Sequence, residues 1–190
     1  YFKQKVCMDK KLISLVTPCY NEEGNITKVY EQVKTIIEEQ LNDYVYEHIF
    51  IDNASTDETV ELLKDIAKKD KNVKIIVNSR NFGHIRSPVY AMMQADGDVV
   101  ISLVADLQDP PEMIVDFIRA NEEGYNIVLA IKESSQEKRL MYKVRSLYYR
   151  LLNRITDTEI YENYTGFGLY DRKTLEALRR MPDAYPFFRG

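Results

Sequence analysis

The 190-residue sequence predicts an α/β fold, a mostly parallel sheet flanked by helices. Three observations lead there. Short apolar runs end in polar, turn-forming residues; apolar positions three and four residues apart follow them; and this alternation recurs with no internal repeat or Pro/Gly linker to divide the chain.

Leu12-Ile13-Ser14-Leu15-Val16 reads as the first strand, and Ile26, Val29, Tyr30, Val33, Ile36, Ile37 and Leu41 mark one face of the helix after it. Ile49-Phe50-Ile51 is the second strand. Ser55 and Glu58 then read as a capping box for a helix turning Val60, Leu63, Ile66 and Ala67 inward. A third strand from Val73 to Val77 precedes a helix from about Ser87 to Ala95, a strand from Val99 to Val104, a helix from Pro110 to Glu123 and a strand from Ile127 to Ile131. Beyond Ile131 the pattern changes: Leu140, Met141, Val144, Leu147, Tyr148, Leu151, Leu152 and Ile155 share a helical face amid Lys138, Arg139, Lys143, Arg145, Arg150 and Arg154, a basic amphipathic helix. A strand around Phe167 to Tyr170 and a short helix from Arg172 to Arg179 close the chain.

A composition of 45% hydrophobic and 29% charged residues supports one globular domain spanning 1–190. The formal net charge of −4 argues against a nucleic-acid binder, whose footprint is basic. Cys7 and Cys19 have neither metal-ligand spacing nor a disulfide framework, which fits a reducing compartment; with only His48 and His84, His-rich zinc chemistry is not expected. No apolar run approaches the ~18–20 residues that span a bilayer.

Ligands of parallel sheets bind beyond the carboxyl ends of the strands, so four loops are candidates. In Thr17-Pro18-Cys19-Tyr20-Asn21-Glu22-Glu23, hydroxyl, amide and carboxylate groups can bond a nucleobase edge; alternatively Asn21 caps the next helix and the glutamates complement its dipole. In Asp52-Asn53-Ala54-Ser55-Thr56-Asp57, the Asp52 carboxylate can accept from a ribose hydroxyl or base N–H, or serve structure alone. In the third loop, Arg80 suits a phosphate and Gly83 permits close backbone approach, with His84 equally readable as a helix start.

The fourth loop says most. Asp106, Gln108 and Asp109 cluster after an apolar strand, and their oxygens suit a hard cation such as Mg2+ or Mn2+, completed by substrate phosphates and water. Asp109-Pro110-Pro111-Glu112 also reads as a helix start, with Asp109 as cap and Glu112 completing a capping box, which leaves Asp106 and Gln108 as the candidate metal ligands. A Gly-x-x-x-x-Gly-Lys-Ser/Thr loop, a Gly-x-Gly-x-x-Gly turn and a Gly-x-Ser-x-Gly elbow are all missing, which removes the main support for P-loop, dinucleotide and hydrolase readings.

Thr17-Pro18-x-Tyr20-Asn21-Glu22, Asp52-x-x-Ser55-x-Asp57, Arg80-Asn81-x-Gly83-His84 and Ala105-Asp106-Leu107-Gln108-Asp109-Pro110-Pro111-Glu112 resemble, in order and spacing, the family-2 glycosyltransferases. The polyprenyl-phosphate sugar transferases, such as dolichol-phosphate mannose synthase and bactoprenol glucosyltransferases, are the branch they are most similar to. The resemblance implies a GT-A (Rossmann-like) fold, a UDP- or GDP-sugar donor and inversion at the anomeric carbon. It implies that Thr17, Pro18, Tyr20, Glu22, Asp52 and Arg80 bind the nucleotide, and that Asp106 and Gln108 carry catalysis by holding a divalent metal on the donor diphosphate.

Two departures from the family pattern stand out. Val104 occupies the first position of the family's Asp-x-Asp pair, and in Thr165-Gly166-Phe167-Gly168-Leu169 glycines replace the Asp and Arg of Gly-Asp-Phe-Arg-Leu.

A polyprenyl phosphate is the expected acceptor, because a phosphomonoester is largely ionised at neutral pH and needs no extra base. Arg139 and Arg145, with Lys143, are candidates to face that phosphate or anionic lipid, against a plain surface-helix role. The expected setting is the cytoplasmic face of a membrane, with interfacial and membrane segments following Phe187-Phe188-Arg189-Gly190 in a longer parent. Two alternatives stay open. One is a saccharide-hydroxyl acceptor, which would need a base from Asp157, Glu159 or Glu162; the other is a nucleotide-sugar-binding module without turnover.

Overall fold

A computed structural model of the chain describes residues 10–131 and 164–181. In order the elements are β1 (Leu12–Cys19), α1 (Ile26–Gln40), β2 (Val45–Asp52), α2 (Thr59–Lys69), β3 (Val73–Val77), α3 (Gly83–Gln94), β4 (Val99–Ser102), α4 (Met113–Glu122), β5 (Ile127–Ile131), β6 (Tyr164–Asp171) and α5 (Arg172–Arg180). The six strands form one sheet in the order β3-β2-β1-β4-β6-β5. β1 runs parallel to β2 and β4, and β2 to β3, while β6 is antiparallel to both β4 and β5. This is the expected mostly parallel α/β sheet. The basic helix, with Arg139, Lys143 and Arg145, and the candidate bases Asp157, Glu159 and Glu162 lie outside the described residues.

Both faces of the sheet are covered, which is why its strands read as continuous apolar runs. Ile13, Leu15 and Phe50 pack under Val29, Val33, Leu63, Ile114 and Phe117 of α1, α2 and α4. Val16, Ile49, Ile51 and Val100 meet Ala91, Met92 and Leu175 of α3 and α5. Each such side chain taken fully out of water contributes on the order of 1.5–3 kcal/mol, so successive residues of one strand anchor opposite layers.

The structure moves several helix starts. α3 begins at Gly83, four residues before the sequence suggests, and carries Pro88 inside it. Pro88, the sixth residue of the helix, has no N–H to offer the His84 carbonyl one turn before it. α4 begins at Met113 rather than Pro110, after a tight turn in which Met113 and Ile114 donate to the Pro110 and Pro111 carbonyls. The cap position is Glu112, without a side-chain cap bond, and Asp109 lies buried outside the helix. Ser55 does not cap α2, whose cap position is Glu58. Asp171 does cap α5, accepting from the Thr174 N–H at 2.8 Å.

The topology opens the chain where chemistry is possible. β1 and β2 stay paired through Cys19 and Asp52, whereas β1 and β4 part after Val16 and Ser102. Pro18 sits just past that parting, where the N–H it lacks is no longer needed by β4. Between the diverging strands lies the crevice at which strand order reverses.

Candidate active site

The crevice is a cleft of about 400 Å3 at the carboxyl ends of the parallel strands. From the β1 end it is lined by Pro18, Cys19, Tyr20 and Glu22, and from the β2 end by Asn53. The loop after β3 and the start of α3 contribute Asn81, Gly83, His84, Ser87 and Pro88; the β4 end contributes Ser102, Val104, Ala105 and Asp106. Gly166 closes the far side.

The first two loops hold one another in place. Backbone N–H groups of Asn21, Glu22 and Glu23 donate to Ser55 Oγ (2.9 Å), Thr59 Oγ1 (2.8 Å) and Asp57 Oδ2 (3.2 Å). In return, Thr56 and Glu58 donate their N–H groups to Asn21 Oδ1 (2.8 Å) and Glu23 Oε2 (3.0 Å). Burial pushes the Asp57 carboxyl up, but hydrogen bonds from Thr59 and Glu23 outweigh it and hold the group below its ordinary range. Asn21 adopts a left-handed backbone, φ 55°, which asparagine tolerates better than most residues. Asn21, Ser55 and Asp57 thus brace two loops, and Asn21 is not the cap of α1, whose cap position is Asn25. Tyr20, just before the braced run, and Glu22 within it line the cleft.

Expected nucleotide residues separate into three groups. Pro18, Tyr20 and Glu22 line the cleft. Thr17 and Asp52 are 0% exposed. Thr17 Oγ1 lies 2.8 Å from His48 Nε2 beneath the sheet surface, and Asp52 turns both oxygens back on Ser55, accepting from its N–H at 3.0 Å and from its hydroxyl. Both side chains are buried and hydrogen-bonded within the protein, and neither is among the residues that line the cleft. Arg80 is exposed, with its guanidinium carbon 4.6 Å from the centre of the Phe82 ring, and does not line the cleft.

At the β4 end, Asp106 reaches the cleft while its Oδ1 accepts from the Gln108 N–H at 3.0 Å. Leu107 between them has φ 55°, a conformation costing roughly 1–3 kcal/mol for a residue with a Cβ. Packing of Leu107 against the core offsets that cost and holds the turn. Gln108 is exposed and meets Asp106 through its backbone N–H, so of the two expected ligands Asp106 alone lines the cleft in this geometry. Among the described residues no three carboxylate, imidazole or thiol groups converge as a metal site.

Cys19 does not supply a thiolate, since burial, then the charges of Asp52, Glu22 and Asp57, push its thiol well up. The recorded antiparallel pairing of β4 with β6 ends at Ser102 and Gly168, and beyond it Val104 and Gly166 both line the cleft. The cleft therefore holds one residue from each of the two departures from the family pattern. Gly166 has φ 95°, a backbone region that favours glycine. Sequence alone assigns no site role to Asn53, Asn81, Ser87 or Ser102; the one available signal for Asn53 is its place at the end of a parallel strand.

Residues 14–179 match the model of the family described as "Glycosyl transferase family 2". The Bacillus subtilis (strain 168) protein YkcC, named an uncharacterized glycosyltransferase, is 36% identical over 178 residues, covering 93% of this chain and 54% of the relative. The prophage bactoprenol glucosyl transferase homolog of Escherichia coli (strain K12) is 35% identical over 179 residues, covering 94% and 58%. The chain therefore spans a little over half the length of these relatives. The mannosyltransferase PcManGT from Pyrobaculum calidifontis, solved with GDP-Man and Mn2+, shares the GT-A fold at a TM-score of 0.60 and 18% identity, covering 90% of this chain and 47% of that one. With a family match across most of its length and relatives 35–36% identical over nearly all of it, the chain belongs to glycosyl transferase family 2.

Proposed function

We propose that this chain is the donor-binding catalytic domain of an inverting hexosyltransferase that moves a sugar from a UDP- or GDP-sugar to a polyprenyl phosphate at the cytoplasmic face of a membrane. The observation that carries the reading is the convergence of Tyr20, Glu22 and Asp106 in one cleft at the strand-order reversal. Similarity to a bactoprenol glucosyl transferase homolog supports the acceptor.

Tyr20 offers the base a ring to lie on, and Glu22 accepts from base or ribose donors. The start of α3 has no acidic residue in its first turn, so beyond Gly83, whose N–H Asn81 Oδ1 accepts, the first-turn N–H groups and the helix dipole leave that wall favourable to a diphosphate. Asp106 would hold Mg2+ or Mn2+ together with phosphate oxygens and water, a ligand set these ions accept with one or two carboxylates. Such a metal, when bound, stabilises charge on the departing nucleotide as a Lewis acid. The acceptor phosphate oxygen attacks the anomeric carbon, the bond to the donor diphosphate breaks, and configuration inverts in one displacement. No proton need be removed from an ionised phosphate. Among the described residues no helix is long and apolar enough to cross a membrane.

Calorimetry with UDP, GDP and their sugars, with and without Mn2+, tests the donor site. Transfer of the sugar to polyprenyl phosphate by the full-length parent tests the reaction. Absence of nucleotide-sugar binding would overturn the reading. Binding without turnover in the parent would favour the non-catalytic alternative, which Val104, in place of the first carboxylate of the family's Asp-x-Asp pair, supports.

A further inference from the structure

Asn53 lines the cleft, yet its side chain has no capacity left for a ligand. Its Nδ2 donates to Asn81 Oδ1 (2.9 Å) and to the Gly83 carbonyl (3.3 Å), while its Oδ1 accepts from Asn78 Nδ2 (3.2 Å) and the Phe82 N–H (2.9 Å). Two donors and two acceptor sites are all that a primary amide has. The orientation of the amide follows from its backbone partners, because the Phe82 N–H only donates and the Gly83 carbonyl only accepts.

The network extends outward from that hub. Asn78 Nδ2 also donates to Ser87 Oγ (2.9 Å), and Asn81 Oδ1 also accepts from the Gly83 N–H (2.8 Å). Inward, the backbone N–H of Asn53 donates to the Cys19 carbonyl at 2.9 Å, tying the hub to the end of β1. Asn53 is 7% exposed, whereas Ser79, Arg80, Asn81 and Phe82 are exposed. An exposed loop and the start of α3 are thus held against the cleft through one buried amide.

We propose that Asn53 is a positioning residue for donor binding, holding residues 78–83 as the cleft wall against which the nucleotide sugar lies, and that an amide is required there. The inference rests on the nucleotide-sugar reading above. Asn53→Asp keeps the shape but sets an oxygen where Nδ2 faces Asn81 Oδ1 and the Gly83 carbonyl, so acceptors meet without a hydrogen between them. Protonation of the introduced carboxyl restores one donor. The titratable or charged groups around it are Asp52 on the same strand, Cys19, Glu22 and Asp57 from the first two loops, Arg80 and His84 from the third, and Asp106 from the fourth. Because both proteins carry these groups, comparing variant with wild type at each pH separates their titration from that of the new carboxyl.

The test is calorimetry of the 190-residue chain and its Asn53→Asp variant with UDP-glucose and GDP-mannose plus Mn2+ at pH 8 and pH 5.5, alongside limited trypsin cleavage after Arg80. At pH 8 the variant is expected to bind the donor about tenfold more weakly or worse and to be cut faster after Arg80. The deficit relative to wild type should shrink at pH 5.5. Wild-type affinity in the folded variant, or a deficit equal at both pH values, would overturn the proposal. Should Asn53→Asp not fold, Asn53→Ser replaces it, since its hydroxyl serves only one of the two acceptors; weaker binding with faster cleavage supports the role and unchanged affinity overturns it. Loss of the fold in both variants overturns a local positioning role. Failure of the wild-type chain to bind either donor sinks the functional reading and this inference with it, and is visible before any variant is made.

Discussion

His48 and Thr17 form a buried polar pair beneath the candidate active site, with Nε2 and Oγ1 2.8 Å apart and the imidazole stacked on Phe50 at 3.9 Å between ring centres. Nδ1 has no hydrogen-bond partner among the described residues. Burial lowers the His48 pKa to about 3, only partly opposed by the charge of Asp70, so the folded protein holds the ring neutral.

That pair predicts an acid-sensitive fold. The unfolded chain takes up a proton near the ordinary value of 6.5 while the folded chain resists it down to about 3, so stability falls as pH drops through that window. The contribution is up to about 2 kcal/mol between pH 7 and pH 5. Urea unfolding at both pH values should show His48→Gln losing less stability than wild type; equal losses would count against the assignment. Asp57 and Asp70, whose carboxyls are held below their ordinary 3.8, lose their contribution only at lower pH.

Gly97 predicts a packing limit at the opposite end of the sheet. A Cβ there would stand 2.5 Å from Ser14 Oγ and 2.7 Å from both the Ser14 nitrogen and the Val99 carbonyl oxygen, in a turn where Gly97 N–H donates to Ser14 Oγ at 2.8 Å. Gly97→Ala should destabilise the fold by about 1–3 kcal/mol, read as a lower urea midpoint. Nucleotide affinity of the variant that remains folded should be unchanged.

Tyr20 is 48% exposed at the cleft. Tyr20→Ala should weaken UDP and GDP binding by about 1–3 kcal/mol, the usual range for an aromatic ring under a base, with little change in Tm. Calorimetry and a melting curve on the same sample separate the two effects. A large drop in Tm with unaltered affinity would place Tyr20 in the fold and not in recognition.

Asp106 and Val104 make opposite predictions for metal. Asp106→Ala should abolish the gain in nucleotide-sugar affinity on adding Mn2+. Val104→Asp should increase that gain by about tenfold, because a second carboxylate raises the charge at a cation site. Titrations with and without Mn2+ measure both, and an unchanged metal effect in Asp106→Ala would remove that residue from the site.

The alternation of strands and helices was legible in the sequence because burial on both faces of a parallel sheet leaves apolar runs, and one-sided helix burial leaves three- and four-residue spacing. β3 and β5 match their apolar runs, whereas β1 and β2 run on into polar residues, because backbone pairing is indifferent to side-chain polarity. The start of α3 was obscured by Pro88, whose local preference was outweighed by packing of Val89, Ala91 and Met92 on the sheet.

By itself the sequence determined the order of elements and the polar residues that cluster after the strands, since both are written in local composition. Tertiary structure decided which of those residues meet. It buried Thr17 on His48 and Asp52 on Ser55, left Pro18, Tyr20, Glu22 and Asp106 at the cleft, and brought Val104 and Gly166 to the same cleft. The brace between Asn21 and Thr56, and the Asn53 hub, join residues some 25 to 35 positions apart. Such bonds depend on where strands part and loops converge, which no local periodicity records.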